Sequence, residues 1–539
     1  MSKNINPKFT INNFRMFNKP QTFELAPITI LTGPNNSGKS SLVKSLSLLN
    51  NNKIYGFLRN FIDYNLKESR LFGSKNIFND DLSDNQNLEF SFEIIRTEIS
   101  KLPIIYKVSF NSSGALQNFS ISHKNQVLIS YVYFNNVYDY FDISFNLDLL
   151  MKTFKIKSTL FEIEFEDDFD LNSDMKNTYI STEKKITDNF GFSIKNDTES
   201  PIGCDFQNFE REKMSKVEDF NFFNLHSTIR EVNNELIEQV FRYLEDKIQK
   251  DLNSKFYTNY KLCMSKNGLI LKNKLLFLVN QFDITLFGYE FHELLVNRNV
   301  KNRNIDLTDE TILLNSLVKK YIENTNNLDD IFGNWLIPWL KKFEIGKYIS
   351  VDNFNGEIAN VVIHGFNNEK RDLSACGTGV TQIISLLLLR LLDHSFINEI
   401  NTHSLITSQL KLENDRWLIY LEEPESNLHP NWQSLLMELI IDINQKSGID
   451  FIIETHSEYM IRKLQFLMAD KTKNLETDSA LIYYFNSDKN VDESKGEPKI
   501  KKIKIDKNGA LSDNFGPGFY DEAINIQFDL LKLNKHQSN

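Results

Sequence analysis

Apolar residues recur along this chain with two different periods, and the places where the period changes divide it. Near the N-terminus Ile28 to Leu31 forms a continuous apolar run that ends at Thr32. The pattern then breaks over Gly33-Pro34-Asn35-Asn36-Ser37-Gly38-Lys39-Ser40-Ser41, and Leu42, Val43 and Leu46 resume at helical spacing. Strand, loop and helix are predicted in that order. Upstream, Phe9 to Phe23 mixes apolar and polar positions around Phe14, Phe17 and Phe23, which predicts a small hairpin feeding the strand.

After the first helix, Ser74 to Asn87 is rich in Asn, Asp and Ser and reads as loop. Alternation at Leu88 to Ile95, Ile104 to Phe110, Ile129 to Phe134 and Phe154 to Phe165 predicts antiparallel strands, and the polar stretch Asp167 to Asn196 predicts a surface excursion. From about Phe206 the period lengthens. Ile229, Val232, Leu236, Val240 and Leu244 recur at three- and four-residue spacing, with further apolar clusters at Leu275 to Val279, Ile312 to Tyr321 and Trp335 to Phe343. A helical insertion is expected there, without the sustained heptads of a long coiled coil.

Strand-like alternation returns at Ile349 to Phe354 and Ile358 to Ile363. The apolar helix Ile383 to Leu392 follows, and then two apolar runs, Trp417 to Leu421 and Phe451 to Ile453, each end in polar residues. Ser479 to Phe485 and Ile500 to Ile505 read as the last strands, with Asp506-Lys507-Asn508-Gly509 as a turn. These shifts suggest three parts: an N-terminal lobe over 1–205, a helical insertion over 206–345 and a C-terminal lobe over 346–539.

Composition changes this picture little. With 41% hydrophobic and 25% charged residues the chain is globular in character, and a net charge of -11 argues against wholesale coating of nucleic acid while leaving room for a local basic groove. Cys204, Cys263 and Cys376 are far apart with no CxxC spacing, which excludes a disulfide framework and fits a reducing cytoplasm. The longest apolar run is too short to span a bilayer, so neither export nor a membrane anchor is expected.

The chemistry is concentrated in three places. The loop from Gly33 has the spacing GxxxxGKS, in which Gly33 and Gly38 permit a tight turn whose backbone N–H groups cradle phosphates at the positive end of the following helix. Asn35, Asn36, Ser37 and Ser41 belong to the same cradle, Lys39 would neutralise the phosphates and the Ser40 hydroxyl would hold Mg²⁺. An aromatic ring in Phe9 to Phe23 is either core or a stacking surface for adenine. The run Trp417 to Leu421 delivers Glu422 and Glu423, which point to opposite faces of a strand and so cannot share one role. Glu422 is assigned to the metal and Glu423 to the general base. Phe451 to Ile453 delivers Glu454-Thr455-His456, where His456 would contact the γ-phosphate or the attacking water.

Taken together, GPNNSGKSS, LSACGTGVTQ, LIYLEEPESNLHP and FIIETHS resemble the Walker A, signature, Walker B with D-loop, and switch-histidine motifs of ABC-type ATPases. The resemblance is closest to the branch that holds the overcoming-lysogenisation-defect (OLD) proteins, the SMC- and RecF-like chromosome-maintenance and recombination ATPases, and the Septu-type, retron-associated ATPases of bacterial anti-phage defence. It implies an α/β fold: an ABC-type P-loop ATPase head of mixed β-sheets with flanking helices, interrupted by the helical insertion. Glu422 stands where many such ATPases have Asp, and His429 where the D-loop usually has Asp. Gly377-Thr378-Gly379 aligns with the signature core, giving Thr378 and Gly379 as nucleotide contacts, with Ser374 as the competing alignment. A Q-loop glutamine should follow the first helix, and Gln86 is the candidate, as a metal ligand.

The same resemblance implies ATP and Mg²⁺ as cofactors and a cytoplasmic homodimer in which the signature of one copy closes over the Walker A loop of the other, with higher oligomers left open. It further implies a nucleotide-gated sensor or clamp that controls a separate effector, such as an HNH nuclease, and that touches DNA or another nucleic acid. The alternative is a DNA-repair or chromosome-maintenance ATPase acting directly on DNA. The tail after His456 is too short for the nuclease domain that OLD proteins carry.

Overall fold

The computed structural model describes residues 6–52, 77, 87–95, 103–135, 139–156, 160–165, 190–195, 260–284, 289–294, 305–308, 313–392, 416–486, 498–516, 519 and 526–530, together with scattered helical positions between 237 and 249. In chain order the first strands are β1 (Lys8–Asn12), β2 (Gln21–Glu24) and β3 (Ile28–Thr32), followed by the helix Lys39–Asn52. Next come β4 (Leu88–Ile95), β5 (Pro103–Phe110), β6 (Leu116–His123), β7 (Gln126–Asn135) and β8 (Asp139–Phe145). Then follow β9 (Phe161–Phe165), β10 (Phe190–Lys195), β11 (Tyr260–Met264), β12 (Tyr289–Leu294) and β13 (Ile305–Asp306). The last are β14 (Tyr348–Phe354), β15 (Ile358–His364), β16 (Lys370–Asp372), β17 (Arg416–Glu422), β18 (Asp450–Glu454), β19 (Ala480–Phe485) and β20 (Ile500–Lys504).

The chain divides into two units. One comprises Pro7–Glu24 and Lys44–Gly288, and its main feature is a sheet in the order β10-β8-β7-β6-β5-β4-β1-β2. Every pairing in it is antiparallel, as the alternating sequence predicts. The expected hairpin is formed by β1 and β2, and because β1 also pairs with β4 it makes the end of this sheet. Phe14, Phe17 and Phe23 are 0%, 4% and 0% exposed, so these rings are core and present no face to a ligand. Phe154 closes a short helix, Leu147–Phe154, and only Phe161–Phe165 of that stretch is strand. Within the expected surface excursion, Phe190–Lys195 pairs with β8.

The other unit comprises Met1–Asn6, Leu25–Val43 and Tyr289–Asn539. Its central sheet has the order β12-β17-β18-β3-β19-β20, parallel throughout except for the last pair. Strands buried on both faces must be apolar along their whole length, and ITILT, DFIIE and ALIYYF are buried at every position. Around this sheet, the helix Thr378–Leu388 is apolar nearly all round and is buried from Gly379 onward apart from Val380. The apolar clusters at Ile312 to Tyr321 and Trp335 to Phe343 belong to one helix, Leu313–Lys342, because the polar residues between them continue the turn and Pro338 falls near its end. That helix docks on Pro430–Ser447 through Asp442, whose Oδ2 accepts from the Trp335 and Trp339 indoles at 2.6 and 3.0 Å.

Candidate functional site

Strand β3 is enclosed by β18 on one side and β19 on the other, so the chain can turn only at its end. Gly33 makes that turn at φ +135°, and a Cβ there would collide with the backbone carbonyl of Phe485 at the end of β19. Asn36 at φ +63° and Gly38 at φ +94° complete a loop that only residues tolerant of the left-handed region can form. The helix that follows begins at Lys39, which places its unpaired N-terminal N–H groups beside the loop.

Lys39 is 4% exposed and lies back on its own loop, with Nζ donating to the carbonyls of Gly33 at 3.0 Å and Pro34 at 2.9 Å. Burial lowers its pKa, and Glu454 and Glu423 oppose that shift. The Glu454 carboxylate stands 3.8 Å from Nζ. It also accepts from the Ser40 hydroxyl at 3.2 Å and the Tyr420 hydroxyl at 3.0 Å. Burial pushes the Glu454 pKa up, Lys39, Tyr420 and Ser40 pull it down, and the neighbouring charge of Glu422 adds to the rise. Strand register explains this convergence: Glu422 pairs with Glu454, and Glu454 with Leu31, in one row across three adjacent strands.

Glu423, one residue beyond β17, adopts φ +42°, a conformation costly for a non-glycine residue and held here by its N–H donating to the Glu454 carbonyl at 2.8 Å. Its carboxylate accepts from the Ser426 hydroxyl at 3.2 Å. His456 is exposed at the end of the neighbouring strand, and its N–H donates to Glu425 Oε1 at 2.8 Å. Burial, reinforced by Lys39 and opposed by Glu423, lowers the His456 pKa, so the neutral ring prevails at pH 7. The pKa of Glu425 moves up through burial, against hydrogen bonds from Thr455 and His456.

The segments around these strand ends are laced to one another. Gly379 packs on the loop Ser426 to His429, where an added Cβ would stand 2.7 Å from Leu428 Cδ2. Gln382 donates to the Pro424 carbonyl. Gln433 donates to the Leu428 carbonyl at 2.9 Å and accepts from the Ser457 hydroxyl at 2.6 Å. His429 caps the helix Pro430–Ser447, its ring accepting from the Asn431 N–H, with Pro430 at the first helical position. Imidazole thus does locally what an Asp would do at the same place.

The structure brings Lys39, Ser40, Glu422, Glu423 and His456 to neighbouring strand ends, with Gly33, Gly38, Ser37 and Ser41 in the loop and Asn35 and Asn36 exposed on it. Gly377 and Thr378 are exposed at the start of their helix, and a Cβ on Gly377 would meet nothing within 4 Å. Gln86 lies outside the described residues. Sequence reasoning did not single out Glu454, which accepts from Ser40 and stands beside Lys39, or Tyr420, which donates to Glu454. A signal was present, since LIYLE and FIIE both end an apolar strand in glutamate.

An anionic nucleotide and a hard cation fit this geometry. Thr32 Oγ1 and Ser37 Oγ are buried without a hydrogen-bond partner at the mouth of the loop, where phosphate oxygens would supply one. The serine hydroxyl and carboxylates beside Lys39 are oxygen donors of the kind Mg²⁺ takes while keeping water and phosphate in its shell.

A family model described as "AAA ATPase domain" matches residues 7–461, and one described as "Protein of unknown function (DUF3696)" matches residues 475–531. No curated protein matches the chain. Similar solved structures include the Smc head domain with an extended coiled coil bound to the C-terminal domain of ScpA, from Pyrococcus furiosus. It is 12% identical, with 92% of this chain and 96% of that chain covered at a TM-score of 0.36. The SMC head domain from Thermotoga maritima is 10% identical, with 88% and 93% covered at a TM-score of 0.32. The Smc head domain with a coiled coil and joint from Pyrococcus yayanosii is 10% identical, with 93% and 98% covered at 0.36.

Proposed function

The chain belongs to the AAA ATPase domain family and has the α/β fold of an ABC-type P-loop ATPase head, and from that premise we propose that it binds and hydrolyses ATP with Mg²⁺. The observation that carries this reading is the convergence of Lys39 and Ser40 on the carboxylates at the ends of β17 and β18. Lys39 leaves the carbonyls of Gly33 and Pro34 to meet the phosphates, which the loop N–H groups and the start of the Lys39–Asn52 helix also face. Ser40 and Glu422 would hold the cation, which would supply charge neutralisation at the phosphates. Glu423 takes the proton of the attacking water, and His456, neutral at pH 7, donates a ring N–H to the γ-phosphate or contacts the attacking water.

The exposed Gly377 and Thr378 support completion of the site by a second copy. In this reading the signature of one chain covers the loop of its partner, and ATP becomes part of a homodimer interface that hydrolysis releases. Glu423→Gln should reduce turnover by orders of magnitude while leaving an ATP-dependent dimer visible by light scattering. Hydrolysis by that variant at the wild-type rate would remove Glu423 from the base role. We extend the reading, on the motif resemblance alone, to a nucleotide-gated sensor that controls a separate effector nuclease in anti-phage defence, with nucleic acid as a candidate trigger. Deleting the gene with its neighbours should then sensitise the host to phage, and unchanged plating across a broad phage panel would count against defence.

A further inference from the structure

Glu454 is an anion placed where the site must accept anions. Its carboxylate is buried, sits 3.8 Å from Lys39 Nζ and is fixed by the Ser40 and Tyr420 hydroxyls at 3.2 and 3.0 Å. The cation of the phosphate loop therefore has a counter-charge inside the protein before any ligand arrives. A nucleotide polyphosphate entering alone must approach that carboxylate, and Glu422 in the same row adds a second negative charge beside it. A polyphosphate carrying a divalent cation meets the opposite situation, because its cation faces two carboxylates and a hydroxyl.

We propose that Glu454 makes the phosphate loop selective for the metal complex of the nucleotide over the free anion, acting as a positioning and specificity residue rather than as an acid or base. The inference rests on the ATP-binding reading above and adds to it. Tyr420 is the brace that keeps the carboxylate over Ser40, since its hydroxyl reaches the same oxygen that Ser40 does. The hydroxyls of Thr32 and Ser37 carry no charge to set against either ligand form, so the discrimination falls to the carboxylates.

Equilibrium binding of a fluorescent ATP analogue, in excess EDTA and again in Mg²⁺, separates the possibilities without reference to turnover. Wild-type protein should bind the Mg²⁺ complex at least about a hundredfold more tightly than the metal-free analogue. In Glu454→Gln the metal-free affinity should rise and the ratio shrink by about tenfold or more, while Glu454→Asp should keep most of the discrimination. A Glu454→Gln ratio equal to that of the wild type would overturn the proposal. Equal wild-type affinity in the two buffers would overturn it as well, even if no variant folded. Absence of binding in both buffers would instead overturn the nucleotide reading on which it rests.

Discussion

Two neighbouring parallel strands end in glutamate, and they use it differently. At the end of β17, Glu422 is exposed and Glu423 is carried past the strand into a left-handed turn, so both carboxylates stand at the rim. At the end of β18, Glu454 continues the strand geometry, is 7% exposed, and is bonded to Lys39, Ser40 and Tyr420. The same apolar run followed by an acid thus yields a reactive rim on one strand and a fixed counter-charge on the next. What differs is the residue that follows: Glu423 turns at φ +42° while its N–H still reaches the Glu454 carbonyl, and Thr455 reaches the Leu31 carbonyl without a left-handed turn.

The sharpest way to break this comparison is to neutralise each end in turn. Glu423→Gln should reduce turnover by about 10²- to 10⁴-fold in a steady-state ATPase assay, the usual range for loss of a general base. If Glu454→Gln lowers turnover to the same extent at saturating Mg²⁺, the two ends share one role and the distinction fails.

Asp442 provides a control, a carboxylate committed entirely to packing. Burial raises its pKa, but hydrogen bonds from Trp335, Lys446 and Trp339 outweigh that and leave it lowered. Its contribution is therefore present above the unfolded value of about 3.9 and is lost as pH falls through the lower folded value. Asp442→Ala should cost about 2–3 kcal/mol in a denaturant melt, because two indole N–H groups lose their acceptor, with nucleotide affinity unchanged. A smaller effect is expected for Tyr420→Phe: about 1 kcal/mol of stability and a weaker preference for the metal complex.

The smallest effect is one of pH. His456 has a lowered pKa, so it stays neutral in the folded state where a free imidazole near 6.5 begins to protonate. Its contribution to stability is present above that ordinary value and diminishes as pH falls below it. A thermal melt series from pH 8 to 5 should show an acid loss that His456→Gln reduces. A flat profile in both proteins would mean that the strand end and Lys39 do not hold the ring neutral.

Much of this was legible because parallel strands inside a sheet cannot hide. β3, β17 and β18 have neighbours on both edges, so their sequences are continuous apolar runs whose polar ends mark the site. β12 escaped notice for the complementary reason. Among the described residues it lies at the edge of its sheet and pairs only with β17, and YEFHEL carries three polar residues in six. β6 and β8 were passed over because LQNFSISH and DYFDISF interleave Ser, Asn and Asp with the apolar positions. The turn at Asp506 was readable from composition: its carboxylate accepts from the N–H groups of Asn508 and Ala510, and Gly509 takes φ +80°. The role of Glu454 is not legible in FIIE alone, since nothing in one strand's sequence says that the sheet sets its end beside Lys39.

The collision that any side chain at Gly33 would suffer with the Phe485 carbonyl has a consequence for how this protein can change over evolution. Phe485 ends β19, which lies in the segment matched as a protein of unknown function, yet β19 is hydrogen-bonded along the whole of β3. Two stretches recognised as separate families therefore share one wall of the phosphate loop. Exchange of either for a foreign counterpart is therefore expected to disturb the other.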